Sequence, residues 1–145
     1  QPYTGERFVG GLGHAFMERV GIKTPLATRN TVNLSEAIIF TTFPEVGSAS
    51  EAAGFHQVAQ ACKLTRYGMD CYAYALLASG QIDLVIEAGL QSYDIQAPMA
   101  LVRAAGGVAS DWRGGNPMNG GRCICAATPE LHAAALKMLQ KVPLD

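Results

Sequence analysis

The hydrophobic pattern changes character along the chain. Residues 6–20 carry short apolar runs broken by Gly5, Gly10, Gly11 and Gly13, which predicts two short strands joined by a glycine turn. Thr24-Pro25 and Arg29-Asn30 read as a polar connection. From Ala37 to Thr42 the run AIIFTT is continuous and β-branched, the pattern of a strand buried on both faces. Ser50 follows a loop and is positioned to cap a helix over 51–63, with Ala52, Phe55, Val58, Ala59 and Cys62 on one stripe.

The remaining elements follow in regular order. Leu64–Gly68 is a short strand and turn, and Asp70–Ser79 is a helix stopped by Gly80. Ile82–Ala88 is a strand, Asp94–Ala105 a helix closed by Gly106-Gly107, and Val108–Trp112 a strand. After a turn through Gly114-Gly115-Asn116-Pro117 comes a last strand, Arg122–Ala127. Thr128 then caps a final helix, with Pro129 at its first position and Glu130 in its first turn. From residue 37 onward this alternation predicts a layered α/β domain. The turn-rich link between the last two strands allows a mixed sheet.

Composition narrows the function classes. Apolar residues make up 49% and charged residues 16%, a globular balance. The net charge is −1 and the cations are scattered, so nothing marks a nucleic-acid or membrane-surface partner. No apolar stretch approaches the roughly 18 residues of a membrane span. The first residues, Gln1-Pro2-Tyr3-Thr4, lack the features of a signal peptide and an initiator Met, so the chain reads as starting internally. The cysteines, Cys62, Cys71, Cys123 and Cys125, form no C-x-x-C pair. They read as buried reduced thiols of a cytoplasmic protein, with Cys123 and Cys125 on one face of a strand.

Candidate chemistry concentrates between residues 65 and 112, where Asp70, Asp83, Glu87 and Asp94 stand at boundaries of strands and helices. Ligands of α/β sheets commonly bind at the carboxyl ends of strands. Asp94 can cap the helix it opens, or serve as an oxygen ligand to a hard cation such as Mg²⁺. Glu87 can point to solvent, or turn into a cleft and accept hydrogen bonds from substrate hydroxyls or meet a substrate cation. Asp70 can cap its helix, or complement an amine or imidazolium. Arg66 and Gly68 lie near a helix start, where backbone N–H groups favour anions. Tyr72, Tyr74 and Trp112 read as core or rim aromatics, and His56 as a surface residue. A catalytic triad has no support, since there is no G-x-S-x-G elbow and no evident Cys–His pair. The Gly10-Gly11-x-Gly13 run lacks the Lys of a phosphate cradle.

The segments RYGMDCYAY (66–74), LLASG (76–80), DLVIE (83–87) and SYD (92–94), followed by AGGV (105–108) and Asp111-Trp112, resemble the carboxy-terminal signature of the inositol monophosphatase-like superfamily. Weaker similarity covers nearly the whole chain, including TRNTVNLSEAIIFTT. Within that superfamily, DCYAY and the Tyr93-Asp94 pair resemble histidinol-phosphate phosphatase. The resemblance implies a layered α/β sandwich, with residues 1–36 completing a sheet begun upstream and residues 37–145 forming the carboxy-terminal α/β domain. It implies that Asp94 ligates Mg²⁺, that Glu87 contacts the alcohol portion of the substrate, and that Asp70 helps recognise histidinol. Arg66 and Gly68 join them as substrate-binding candidates. The implied reaction is Mg²⁺-dependent hydrolysis of a small phosphomonoester, in histidine biosynthesis if the substrate is histidinol phosphate, by a protein that is commonly dimeric.

The family's other metal ligands lie in a Glu and an Asp-Pro-x-Asp-Gly-Thr motif, and no Asp-x-x-Asp-Gly occurs in residues 1–145. The chain is therefore expected to be inactive alone, as half of a longer enzyme, with the strands at 6–20 exposing an edge and apolar surface. The alternatives are an inositol monophosphatase or broad sugar-phosphate phosphatase and, in another class, a non-catalytic binding module.

Overall fold

A computed structural model describes residues 1–143, so the last two residues of the segment 37–145 lie outside the described part. The predicted order of strands and helices from residue 37 onward is present. The strands β1 (Arg7–Gly11), β2 (His14–Arg19) and β3 (Ile22–Pro25) form an antiparallel sheet in that order. A second sheet contains β4 (Ile38–Thr41), β5 (Leu64–Tyr67), β6 (Leu84–Leu90), β7 (Val108–Ser110) and β8 (Gly121–Ala126), in the order β5-β4-β6-β8-β7. Its pairings β4–β5 and β4–β6 are parallel and β6–β8 and β7–β8 antiparallel, so the sheet is mixed as expected. The helices are α1 (Ala49–Ala61), α2 (Cys71–Ala78), α3 (Ser92–Ala104) and α4 (Pro129–Leu139).

The layers follow from side-chain parity. Leu84 and Ile86 of β6, with Ile124 and Ala126 of β8, pack against Phe55 and Val58 of α1 and Leu131, Ala135 and Leu139 of α4. Val85, Cys123 and Cys125 face the other way, onto Ala73, Tyr74 and Leu77 of α2 and Ile95 and Val102 of α3. The outer surface of α2 and α3 meets the small sheet through Phe8, Ala15, Leu26, Ala75, Ala78, Leu101 and Ala105. Gly10 is required there, since a Cβ on it would stand 2.4 Å from the Leu101 Cα. The order of layers is small sheet, α2 and α3, large sheet, α1 and α4.

Several local expectations need correction. Residues 22–25 are a strand, because Val20-Gly21 (φ 50° and 76°) repeats the tight turn that Leu12-Gly13 (φ 50° and 78°) makes between β1 and β2. The helix α1 begins earlier than expected. Ser48, not Ser50, is its cap: the Ser48 hydroxyl accepts from the Glu51 N–H while Glu51 Oε2 accepts from the Ser48 N–H at 2.6 Å. Cys123 and Cys125 are buried with their sulfurs 3.7 Å apart, whereas Cys71 is exposed and Cys62 half-buried. His56 is half-buried, its ring 5.3 Å from that of Phe55. Trp112 and Tyr74 are core residues, and the Trp112 indole N–H donates to the Cys123 carbonyl. Among the described residues no helix is long and apolar enough to cross a membrane.

Candidate functional site

The large sheet defines where a site can form. From β4 the chain goes through α1 to β5 on one side, then through α2 back past β4 to β6 on the other. Crossovers of one hand running in opposite directions must lie on opposite faces, and α1 and α2 do. A crevice therefore opens at the carboxyl ends of β4 and β6, the place where α/β sheets bind ligands. A cavity of about 180 Å³ lies there, between the 42–47 loop and the end of β6, with Thr42, Glu45 and Glu87 on its wall.

Glu87 is the centre of this region. Its place in β6 has the parity of Val85, so its side chain leaves the sheet on the α2–α3 side. It is 6% exposed, which settles the two orientations left open by its position in the sequence. Glu87 Oε1 accepts from the Thr42 backbone N–H at 3.1 Å and the Thr42 hydroxyl at 2.6 Å. Burial pushes its carboxyl above the ordinary 4.5, the Thr42 hydrogen bonds oppose that rise, and the charges of Asp70 and Asp94 add to it. Glu87 thus feels the charges of both Asp70, which follows β5, and Asp94, which follows β6.

Asp94 does act on its helix. It is the third residue of α3, and its Oδ2 accepts from the Gln91 N–H at 2.8 Å. Capping and ligation are compatible, because one carboxylate has two oxygens and only Oδ2 is engaged with the helix start. Asp70 behaves differently. It stands at the N-cap of α2, yet its side chain makes no capping hydrogen bond, and its backbone is at φ 48°, ψ −139°. With the Tyr72 N–H donating to the Met69 carbonyl, Asp70 occupies the second position of a type II′ turn, a place that suits glycine. The capping explanation for Asp70 is therefore overturned.

The other candidates separate. Asp83 is fully buried at the opposite end of β6, where Oδ2 accepts from the Ile38 N–H at 2.8 Å and from Arg29 at 3.1 Å. It is a structural anchor between the 26–31 segment and the sheet, and does not belong with Asp70, Glu87 and Asp94. Gly68 (φ 86°) ends β5, but its N–H donates to the carbonyls of Thr41 and Thr42 at 3.2 and 3.1 Å, so it is not offered to an anion. Arg66 is exposed and donates to the Thr65 carbonyl at 2.9 Å. Neither Arg66, Gly68, Asp70 nor Asp94 lines the cavity beside Glu87. Thr42, which holds Glu87, is not marked in the sequence, because a Thr at a strand end carries no pattern of its own.

A magnesium centre needs several oxygen donors in one place. Among the described residues no group of three or more His, Cys, Asp or Glu is arranged to hold a metal ion. Asp94 supplies a suitable hard donor, but these residues do not make a metal centre by themselves.

Comparison with known proteins agrees with the architecture. A profile of the Inositol monophosphatase family matches residues 1–144. The Arabidopsis thaliana protein "Bifunctional phosphatase IMPL2, chloroplastic" is 41% identical over 115 residues, covering 79% of this chain and 32% of that protein. An inositol-1-monophosphatase of Mesorhizobium japonicum is 29% identical, covering 96% of this chain and 51% of its own length. The solved structure of an inositol monophosphatase from Zymomonas mobilis superposes with a TM-score of 0.84 at 33% identity, over 93% of this chain and 53% of that one. The chain thus spans a third to a half of the length of these relatives. It belongs to the inositol monophosphatase family, whose members are phosphatases acting on phosphoric monoesters.

Proposed function

We propose that this chain is the substrate-recognising part of a Mg²⁺-dependent phosphomonoesterase, with histidinol phosphate as its substrate. The observation that carries this is the position of Glu87. It is a buried carboxylate at the mouth of the crevice, fixed through one oxygen by Thr42 and flanked by the negative charges of Asp70 and Asp94. An acidic neighbourhood of this kind favours an alcohol portion that is itself cationic, such as an amino alcohol bearing an imidazole. Asp94 would lend one hard oxygen to magnesium in the complete enzyme, where the metal supplies electrophilic activation of the phosphate. Within this chain, Glu87 accepts from the substrate alcohol side and Asp70 pairs with its positive charge. Family membership supports the reaction class, and the common dimeric state of the family supports a homodimer.

The second substrate, inositol monophosphate, is favoured by the names of the relatives from Mesorhizobium japonicum and Zymomonas mobilis. Asp70 separates the two. Substituting Asp70→Ala in the complete protein should lower kcat/KM for histidinol phosphate by about fivefold, the upper scale of one exposed charge pair, and leave inositol monophosphate hydrolysis near its starting value. Equal losses on both esters would remove the cationic substrate. If the complete protein releases phosphate from neither ester with Mg²⁺ present, the chain is a binding module.

A further inference from the structure

Tyr74 lies one turn into α2, four residues after Asp70, on the helix face that packs against the large sheet. It is 2% exposed, and its hydroxyl is buried without a hydrogen-bond partner in the structure. A buried phenol normally finds a partner, and leaving one unpaired costs stability. The ionisable groups that act on it are Cys123, Cys125, Glu87 and Asp70. Val85, Cys123 and Cys125 share its layer, and Cys123 stands opposite Glu87 in the β6–β8 pairing. Glu87 projects from the sheet on this same side, immediately beyond Val85 in strand parity. Its Oε1 is taken by Thr42, so Oε2 is the carboxylate oxygen left for another donor.

We propose that Tyr74 is a positioning residue for Glu87, its hydroxyl donating to Glu87 Oε2 when the site is filled. This rests on the assignment of Glu87 to substrate recognition. Thr42 and Tyr74 then grip the two oxygens from opposite sides, and the carboxylate presents its remaining lone pairs to the substrate. The other titratable groups facing Glu87 are Asp70 before α2, Asp94 on α3, Cys123 on β8 and Glu45 on the cavity wall. The anionic ones all disfavour a second negative charge, and a hydroxyl donor from α2 offsets that.

The test is Tyr74→Phe in the complete protein, a change that keeps the ring and its packing. Two readouts are taken: the Glu87 carboxyl titration followed by ¹³C NMR with labelled glutamate, assigned with Glu87→Gln, and kcat/KM for phosphate release. A donor to the ionised form lowers a carboxyl pKa, so its loss should raise the Glu87 midpoint by about one pH unit in protein saturated with substrate analogue. A parallel tenfold loss in kcat/KM is expected. The proposal is overturned if the Glu87 midpoint and kcat/KM stay at their wild-type values, whether the melting temperature rises, as removal of an unpaired hydroxyl would cause, or falls. If the wild-type protein releases no phosphate, the phosphatase assignment fails separately, and the Glu87 midpoint in the presence of inorganic phosphate still decides the role of Tyr74.

Discussion

At the scale of single residues, Asp70 and Asp83 show how one residue type serves opposite ends. Asp83 is buried, held by Arg29 and the Ile38 N–H, and contributes to the fold. Asp70 is exposed, caps nothing, and holds a backbone conformation suited to glycine. A non-glycine residue held in this region costs conformational energy. Replacing Asp70 by Gly should therefore stabilise the protein by about 1 kcal/mol, since the φ 48° conformation is then free of Cβ strain. Asp70→Ala should show no such gain. Thermal melts of the two variants decide it, and equal melting temperatures would mean that the turn is unstrained. The sequence left capping and charge recognition both open for Asp70 and gave no sign that Asp83 is a buried anchor, since both are acidic groups near an element boundary. Burial and φ separate them, and both are set by tertiary contacts.

Among elements, α1 shows what the pattern could and could not supply. Its apolar stripe is present, with Phe55 and Val58 buried. The start was misplaced because Ser48 and Ser50 both precede the apolar run. The distinguishing signal was available: Glu51 stands three residues after Ser48, the spacing of a reciprocal cap. Glu51 also pairs with Arg122 Nε at 2.5 Å, so the cap ties α1 to β8. Ser48→Ala should cost about 1 kcal/mol, whereas Ser50→Ala should cost less, as measured by chemical denaturation. If Ser50→Ala proves the more harmful change, the cap has been misassigned. The strand β3 was missed for a different reason. The turn before it uses Val20 at φ 50°, a β-branched residue that normally avoids that conformation, so the residue type conceals the turn. The alternation from residue 37 onward was legible because buried parallel strands and amphipathic helices differ in both length and period.

For the molecule as a whole, the sheet order β5-β4-β6-β8-β7 explains why Asp70, Glu87 and Asp94 come near one another although they are spread along the sequence. Asp70 follows β5, Glu87 lies within β6 just past its parallel pairing with β4, and Asp94 follows β6. The positions at strand ends and helix starts pointed to a cluster that also held Asp83, which the topology places at the opposite end of β6. The small antiparallel sheet meets α2 and α3 on one side, while Val9, Leu12, Val20 and Ile22 remain exposed elsewhere on it. Of these, Val9 lies in β1 and Ile22 in β3, whereas Leu12 and Val20 occupy the turns between strands.

The central claim is that Asp94 belongs to the catalytic centre of a magnesium-dependent phosphatase, and Asp94→Asn tests it most directly. Asparagine can still accept from the Gln91 N–H, so the helix start survives and the melting temperature should hold. Phosphate release from histidinol phosphate and from inositol monophosphate is measured in the complete protein, with Mg²⁺ and with a chelator. The account predicts release that the chelator abolishes and that Asp94→Asn reduces by about a hundredfold or more. Release that persists in the variant at the wild-type rate, or that ignores the chelator, would contradict it.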